Sequence, residues 1–167
     1  MAAGFFEVGE HRRFWVAPRK IGMPTPPELT VSRVTRPEEV DRVSVIQAAG
    51  FALAPEVHEW ERQLARQRFA EGSVRFYQGR LNGSAVGTGA VMPLANGTIG
   101  LWGLTTLSTA RDQGVALAVL GQMIADGHAF GTGPVFFTTS WDNQFEIVYE
   151  RIGCIPLFRT RLFEYRR

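Results

Sequence analysis

Two Asn-Gly dipeptides, Asn82-Gly83 and Asn96-Gly97, constrain this chain more than any other feature. Each stands between β-rich segments, and Asn-Gly supplies the paired positive φ values of a tight type I′ hairpin turn. They join residues 74–78, 85–91 and 98–104 into a three-stranded antiparallel meander. Gly87, Gly89, Gly100 and Gly103 fall inside these strands. Glycine weakens a strand entropically, so their presence points to bulges or to a close backbone approach by another group.

The flanks of the meander change period. Leu29-Thr30-Val31-Ser32-Arg33-Val34 alternates apolar and polar residues, the mark of a half-buried strand. Pro37, Glu38 and Glu39 open a helix that carries Val40, Val43 and Ile46 at spacing three and ends or is interrupted at Gly50. A second helix over about Glu56 to Phe69 sets Val57, Trp60, Leu64 and Gln67 on one side and Glu59, Glu61, Arg62 and Arg66 on the other. Beyond the meander, Val115, Val119, Leu120, Met123 and Ile124 recur at helical spacing before Gly127, Gly131, Gly133 and Pro134 stop the helix. Val135 to Thr139 reads as a buried strand, Phe145, Val148, Tyr149 and Ile152 as a helix, and residues 156–165 as a last strand. The element order is β-α-α-β-β-β-α-β-α-β.

A length of 167 residues suits one domain. The proline-rich stretch 23–27 divides it into an N-terminal arm and linker, 1–28, and a folded domain, 29–167. Within the arm, Phe14-Trp15-Val16 reads as an added strand, a segment packing on a partner and setting the oligomeric state, or a free arm. Eighteen basic residues, of which only Lys20 is a lysine, stand against sixteen acidic ones, and the arginines are scattered. Nucleic-acid binding, which needs a concentrated basic stripe, is not expected. The single cysteine, Cys154, excludes an intramolecular disulfide framework and a cysteine-based zinc site. No His, Asp or Glu cluster has metal spacing. No apolar run reaches the ~18–20 residues of a membrane span. The first 20 residues carry Glu7, Glu10, His11, Arg12 and Arg13 where a signal peptide needs an apolar run, so a cytoplasmic location is the expectation.

The sharpest chemical feature is Arg111-Asp112-Gln113-Gly114-Val115-Ala116, set between a strand and a helix. A helix start leaves N–H groups without intrahelical partners and concentrates positive dipole, so it holds phosphate oxygens. Gly114 and Ala116 keep the turn low enough for a ligand to approach the main chain. At these residues the chain resembles the GCN5-related N-acetyltransferase family, whose acyl-CoA loop follows Q/R-x-x-G-x-G/A, matched here by Arg111, Gly114 and Ala116. The stretch from Asn143 through Tyr149 to Gly153 is similar to the family's Asn…Tyr-x-x-x-Gly-Phe element, with Cys154 at the aromatic position. The resemblance covers residues 29–167.

The resemblance implies an α+β fold, in α/β/α layers around a mixed, mostly antiparallel central sheet of the acyl-CoA N-acyltransferase type. It implies an N-acetyltransferase moving an acetyl group from acetyl-CoA, without a metal, to an amine of a small molecule or peptide by direct attack. The pyrophosphate would lie on the N–H groups of Gln113, Gly114, Val115 and Ala116, in a turn shared with Arg111 and Asp112. Leu104, Thr105 and Thr106 would offer strand-edge groups to the pantetheine amides, with Asn143 completing the set. Tyr149 would protonate the leaving thiolate, although its place on an apolar helix face fits a core tyrosine equally. Residues 98–107 hold no Asp, Glu or His, which leaves Glu56, His58, Glu59 or a water relayed by Thr105 or Ser108 as the base. Phe51, Trp60 and Trp102 line an acceptor pocket or belong to the core. A non-catalytic acyl-CoA-binding regulatory module is the alternative function, and a homodimer is a further expectation.

Overall fold

In the computed structural model, which describes residues 4–7, 12–21, 25–140 and 145–166, nine strands and four α-helices follow one another. The chain begins with β1 (Gly4–Glu7), β2 (Arg12–Val16) and β3 (Leu29–Arg33), then α1 (Pro37–Phe51) and α2 (Pro55–Ala70). The meander β4 (Arg75–Leu81), β5 (Ser84–Pro93) and β6 (Ile99–Thr106) leads through a 3-10 turn, Ser108–Ala110, into α3 (Val115–Phe130). β7 (Val135–Ser140), α4 (Glu146–Arg151), β8 (Ile155–Thr160) and β9 (Phe163–Arg166) complete it. From β3 to β8 this is the expected order.

The first Asn-Gly pair behaves as its chemistry dictates. Asn82 at φ 49° and Gly83 at φ 80° both adopt the left-handed region, and β4 folds back on β5. The second differs: Gly97 alone is left-handed, at φ 79°. Gly97 N–H donates to Leu94 O and Leu94 N–H to Thr98 O, closing a three-residue loop rather than the expected type I′ turn. The extra residue, Ala95, lets one glycine carry the reversal.

Seven strands form one sheet in the order β3-β4-β5-β6-β7-β2-β8, all antiparallel neighbours except the β6–β7 pair. Phe76 and Ala90 belong to a cluster with Val40, Val43 and Ala65 of α1 and α2, whereas their chain neighbours Tyr77 and Val91 join Val115, Val119 and Met123 of α3. Side chains alternate across a strand, so the two clusters lie on opposite faces and the architecture is α/β/α. Glycines in β4 and β5 have a purpose here. A Cβ on Gly79 would come within 2.8 Å of Val119, and one on Gly87 within 2.5 Å of Val115, so α3 sits directly on a stripe of bare backbone. Bulges also occur, between Gly79 and Arg80 and between Thr88 and Ala90.

One open alternative is resolved and two expectations change. Of the three readings of the aromatic run, the added strand is the one realised: residues 12–16 lie between β7 and β8, with Trp15 fully buried and its indole N–H donating to Thr139 Oγ1 at 3.0 Å. Part of the segment before Leu29 is therefore integral to the sheet. The single last strand divides near Arg161 and Leu162, and β9 pairs with β1 in a separate two-stranded ribbon. α2 turns Ala65 to the core and leaves Val57 and Trp60 at 45% and 60% exposure, so of the expected apolar side only Leu64 faces inward, half-buried. Among the described residues, no helix is long and apolar enough to cross a membrane.

Candidate active site

β6 and β7 pair only at Ile99–Val135 and Gly100–Phe136. Beyond Gly100, β6 keeps its partner β5 on one side, as in Thr88–Thr105 and Gly87–Thr106, and loses β7 on the other. The splay leaves a strand edge whose amides must find partners elsewhere. It opens a cleft of about 810 Å³, walled by Leu104, Thr105 and Thr106 of β6, by the turn into α3, and by Phe145, Val148 and Tyr149.

The turn ends at Gly114, which caps α3 at φ 76° and ψ −1° with no side-chain hydrogen bond. The first intrahelical bond of α3 is Ala118 N–H to Gly114 O. The earlier N–H groups of a helix lack such partners. The first turn of α3 is Val-Ala-Leu with no acidic residue, so nothing on the helix itself opposes the positive end of its dipole. A Cβ on Gly114 would meet nothing, and the demand for glycine there comes from the left-handed backbone alone. Asp112 also takes a positive φ, 61°, and is exposed.

Leu104, Thr105, Thr106, Arg111, Asp112, Gly114, Val115, Ala116 and Tyr149 all line this one cleft. Gln113 is exposed beside it, its side-chain amide donating to Thr109 O. Asn143 lies outside the described residues. The Thr106 hydroxyl oxygen is buried without a hydrogen-bond partner among the described residues, which marks it as waiting for a ligand group or water.

Tyr149 is held by its ring. Its centroid lies 5.5 Å from Trp15 and 5.1 Å from Phe137, the latter edge to face. Burial, with a smaller contribution from Cys154, pushes its phenol up to about 12. The group is protonated at neutral pH and able to donate. Tyr149 is thus a buried core residue, as one of its two readings has it, and it also lines the cleft.

Of the expected bases, Glu56, His58 and Glu59 do not line the cleft, whereas Thr105, expected to relay a water, does. Glu59 is exposed and clasped by Arg62 at 2.8 and 2.9 Å, and these hydrogen bonds, with another from Gln63, hold its carboxyl at about 2. Glu56 is exposed, and neither it nor His58 lines this cleft, although His58 Nε2 is buried without a partner among the described residues. A carboxylate that sequence reasoning passed over lines a cavity of its own. Glu61 lines a second cavity of about 260 Å³ with Phe51 and Trp102, between α1, α2 and the sheet. Phe51 and Trp102 are half-exposed in that cavity, not core, and Trp60 takes no part in it. The available signal was the stripe Glu61, Leu64, Ala65, Arg68, spaced i, i+3, i+4, i+7. Among the described residues no group of three or more His, Cys, Asp or Glu could hold a metal.

No protein-family model and no curated protein sequence matches the chain. Solved structures do. A GCN5-related N-acetyltransferase from Kribbella flavida superposes at a TM-score of 0.71 and 20% identity, over 96% of this chain and 60% of its own. Another from Sphaerobacter thermophilus gives 0.71 at 18% identity, over 97% and 53%. A predicted acetyltransferase with acetyl-CoA from Clostridium acetobutylicum gives 0.60 at 12% identity, over 75% and 88%. The fold is that of the GCN5-related N-acetyltransferases, and the chain spans about 60% of the length of the first of these relatives.

Proposed function

We propose that the chain transfers an acetyl group from acetyl-CoA to a primary amine. One observation carries the reading: the open β6 edge, the unopposed N-terminus of α3 and the Tyr149 hydroxyl-bearing ring border a single cleft. An acyl-CoA presents the matching set: a pyrophosphate, a chain of amides and a thioester. Backbone N–H groups of Gln113 to Ala116 take the phosphate oxygens, and the edge of Leu104 to Thr106 takes the amides. The Clostridium acetobutylicum relative, solved with acetyl-CoA, favours the same ligand.

The thioester supplies an activated acyl carbon. The amine nitrogen attacks it with its lone pair, the C–N bond forms and the C–S bond breaks. A main-chain N–H near Thr106 stabilises the negative charge that builds on the carbonyl oxygen. Tyr149 gives its proton to the departing sulfur, and the proton released from nitrogen restores the phenol. Calorimetric titration with acetyl-CoA is the direct test, with micromolar binding expected. Folded protein that takes up no acetyl-CoA would overturn the reading.

A non-catalytic acyl-CoA-binding module is the second reading. It is favoured by the carboxylates of the cleft, where Asp112 stands alone among the described lining residues. Amine-dependent release of free CoA thiol excludes it.

A further inference from the structure

We propose that the second cavity selects the acceptor as a compact monoamine on an aromatic or branched apolar body, with Glu61 holding the ammonium group and taking the proton it must lose before the nitrogen attacks the thioester. The inference rests on the acyl-transfer reading and adds to it the class of acceptor.

The cavity is lined mainly by apolar side chains, with Gln47, Glu61 and Arg68 as its polar ones. Phe51, Leu53, Leu64, Met92 and Trp102 form its walls, and Phe51 and Trp102 remain 49% and 46% exposed. Aromatic faces inside a concavity bind apolar ligands and, at their π surface, cations. Its volume, about 260 Å³, suits one ring or a branched chain.

Glu61 supplies the charge. The neighbouring carboxylates of this helix pair are engaged: Glu59 holds Arg62, and Asp41 holds Arg66 at 2.7 Å. Glu61 is half-buried on the cavity wall, and no hydrogen bond or ion pair engages its side chain among the described residues. A lone carboxylate beside an indole face is a receptor for an ammonium ion. Arg68 lines the same cavity two turns further along α2, about 10 Å by helical rise. A guanidinium there repels a second ammonium, so a polyamine is disfavoured.

The position serves the chemistry. Gly103 lines this cavity and the next residue, Leu104, lines the acyl-CoA cleft, both within the bulge in β6 opposite Gly89. Gly103 takes φ 61° at that bulge, and Gln47 of α1 donates to its carbonyl oxygen at 3.5 Å. A group on the α1–α2 side thus meets the sheet where β6 has parted from β7.

The experiment compares 2-phenylethylamine, ethanolamine and spermidine as acceptors with the full chain, alongside calorimetric titration of each amine and of acetyl-CoA. We expect kcat/KM for 2-phenylethylamine at least tenfold above the other two. Glu61→Gln should raise its KM at least tenfold while leaving acetyl-CoA affinity and the thermal midpoint unchanged, and Trp102→Ala should penalise 2-phenylethylamine but not ethanolamine. Equal kcat/KM for the three amines, or an unchanged KM in Glu61→Gln, overturns the inference while acetyl-CoA binding leaves the acyl-transfer reading intact. If acetyl-CoA does not bind, the acyl-transfer reading fails; 2-phenylethylamine binding weakened by Glu61→Gln then still supports the site, and no binding overturns it.

Discussion

The indole of Trp15 packs 5.5 Å from the ring of Tyr149, so a strand that precedes the proline-rich stretch supports the side chain at the far end of the chain on which the proposed proton transfer depends. Trp15 is fully buried and also stacks on Phe137. Truncating it to alanine removes a large core ring and should cost about 3–5 kcal/mol. Urea unfolding measures this, and a midpoint unchanged from the wild type would contradict the packing described.

Gly50 of α1 lies against Thr105 of β6, where a Cβ would overlap the Thr105 hydroxyl and come within 2.8 Å of its methyl carbon. Gly50→Ala should destabilise by about 1–3 kcal/mol through overpacking, partly offset by the better helix propensity of alanine. Thr105→Ala in the same chain should relieve most of that cost, with a coupling of at least about 1 kcal/mol in a double-mutant cycle. Strict additivity would show that α1 does not rest on this contact.

Gly114→Val tests the turn into α3. Open space surrounds the position, so the fold survives, and the left-handed φ of 76° makes the cost a backbone one, about 1–2 kcal/mol. Relaxation of that backbone redirects the N–H groups that follow, and acetyl-CoA affinity should fall at least tenfold by calorimetry. Retained affinity would place the phosphate site elsewhere.

Tyr149→Phe keeps the ring against Trp15 and Phe137 and deletes the donor. Stability at neutral pH should change little, and turnover should drop by about 10²–10⁴, the usual contribution of a positioned acid. Unaltered kcat would reduce Tyr149 to a packing residue.

Alkaline pH should erode stability. Burial pushes the Cys154 thiol from an ordinary 9.0 up to about 11, and burial with a smaller contribution from Cys154 pushes the Tyr149 phenol from 10.0 up to about 12. Both folded-state values are raised, so the native state keeps protons that the unfolded chain has released. The stabilisation is therefore full below pH 9.0 and is lost as pH climbs through these raised values. One such group changes stability by at most about 1.4 kcal/mol per pH unit. Unfolding at pH 8, 9, 10 and 11 should show the decline, with a shallower slope between pH 9 and 11 in Cys154→Ala. A flat profile in the wild type would contradict it.

Much of the fold was legible because local rules and the global packing agree. Asn82-Gly83 needs no distant partner to reverse the chain, and Pro37, Glu38 and Glu39 start a helix by their own chemistry. The turn at Gly114 was legible for the same reason: a left-handed glycine before an apolar helix start is a local event. Asn96-Gly97 misled because the dipeptide does not count the residues of its loop; Ala95 does. α2 misled further. Its aromatic Trp60 and Val57 mark an apolar side that the helix turns to solvent, since docking on α1 and the sheet fixes its rotation, and that rotation brings Glu61 and Arg68 into a cavity.

By itself, then, the amino-acid sequence determined the meander, the order of elements from Leu29 to Thr160 and the glycine turn within Arg111 to Ala116 that opens α3. Each is written in residues adjacent along the chain. Tertiary structure alone decided that β2 enters the sheet between β7 and β8, that β6 parts from β7 after Gly100, and that Thr106 and Tyr149, the latter backed by Trp15, line one cleft. Those relationships join residues more than a hundred positions apart in the extreme case, Trp15 to Thr139. They arise from burying one large ring and from the way the seven strands pair, which no local pattern encodes.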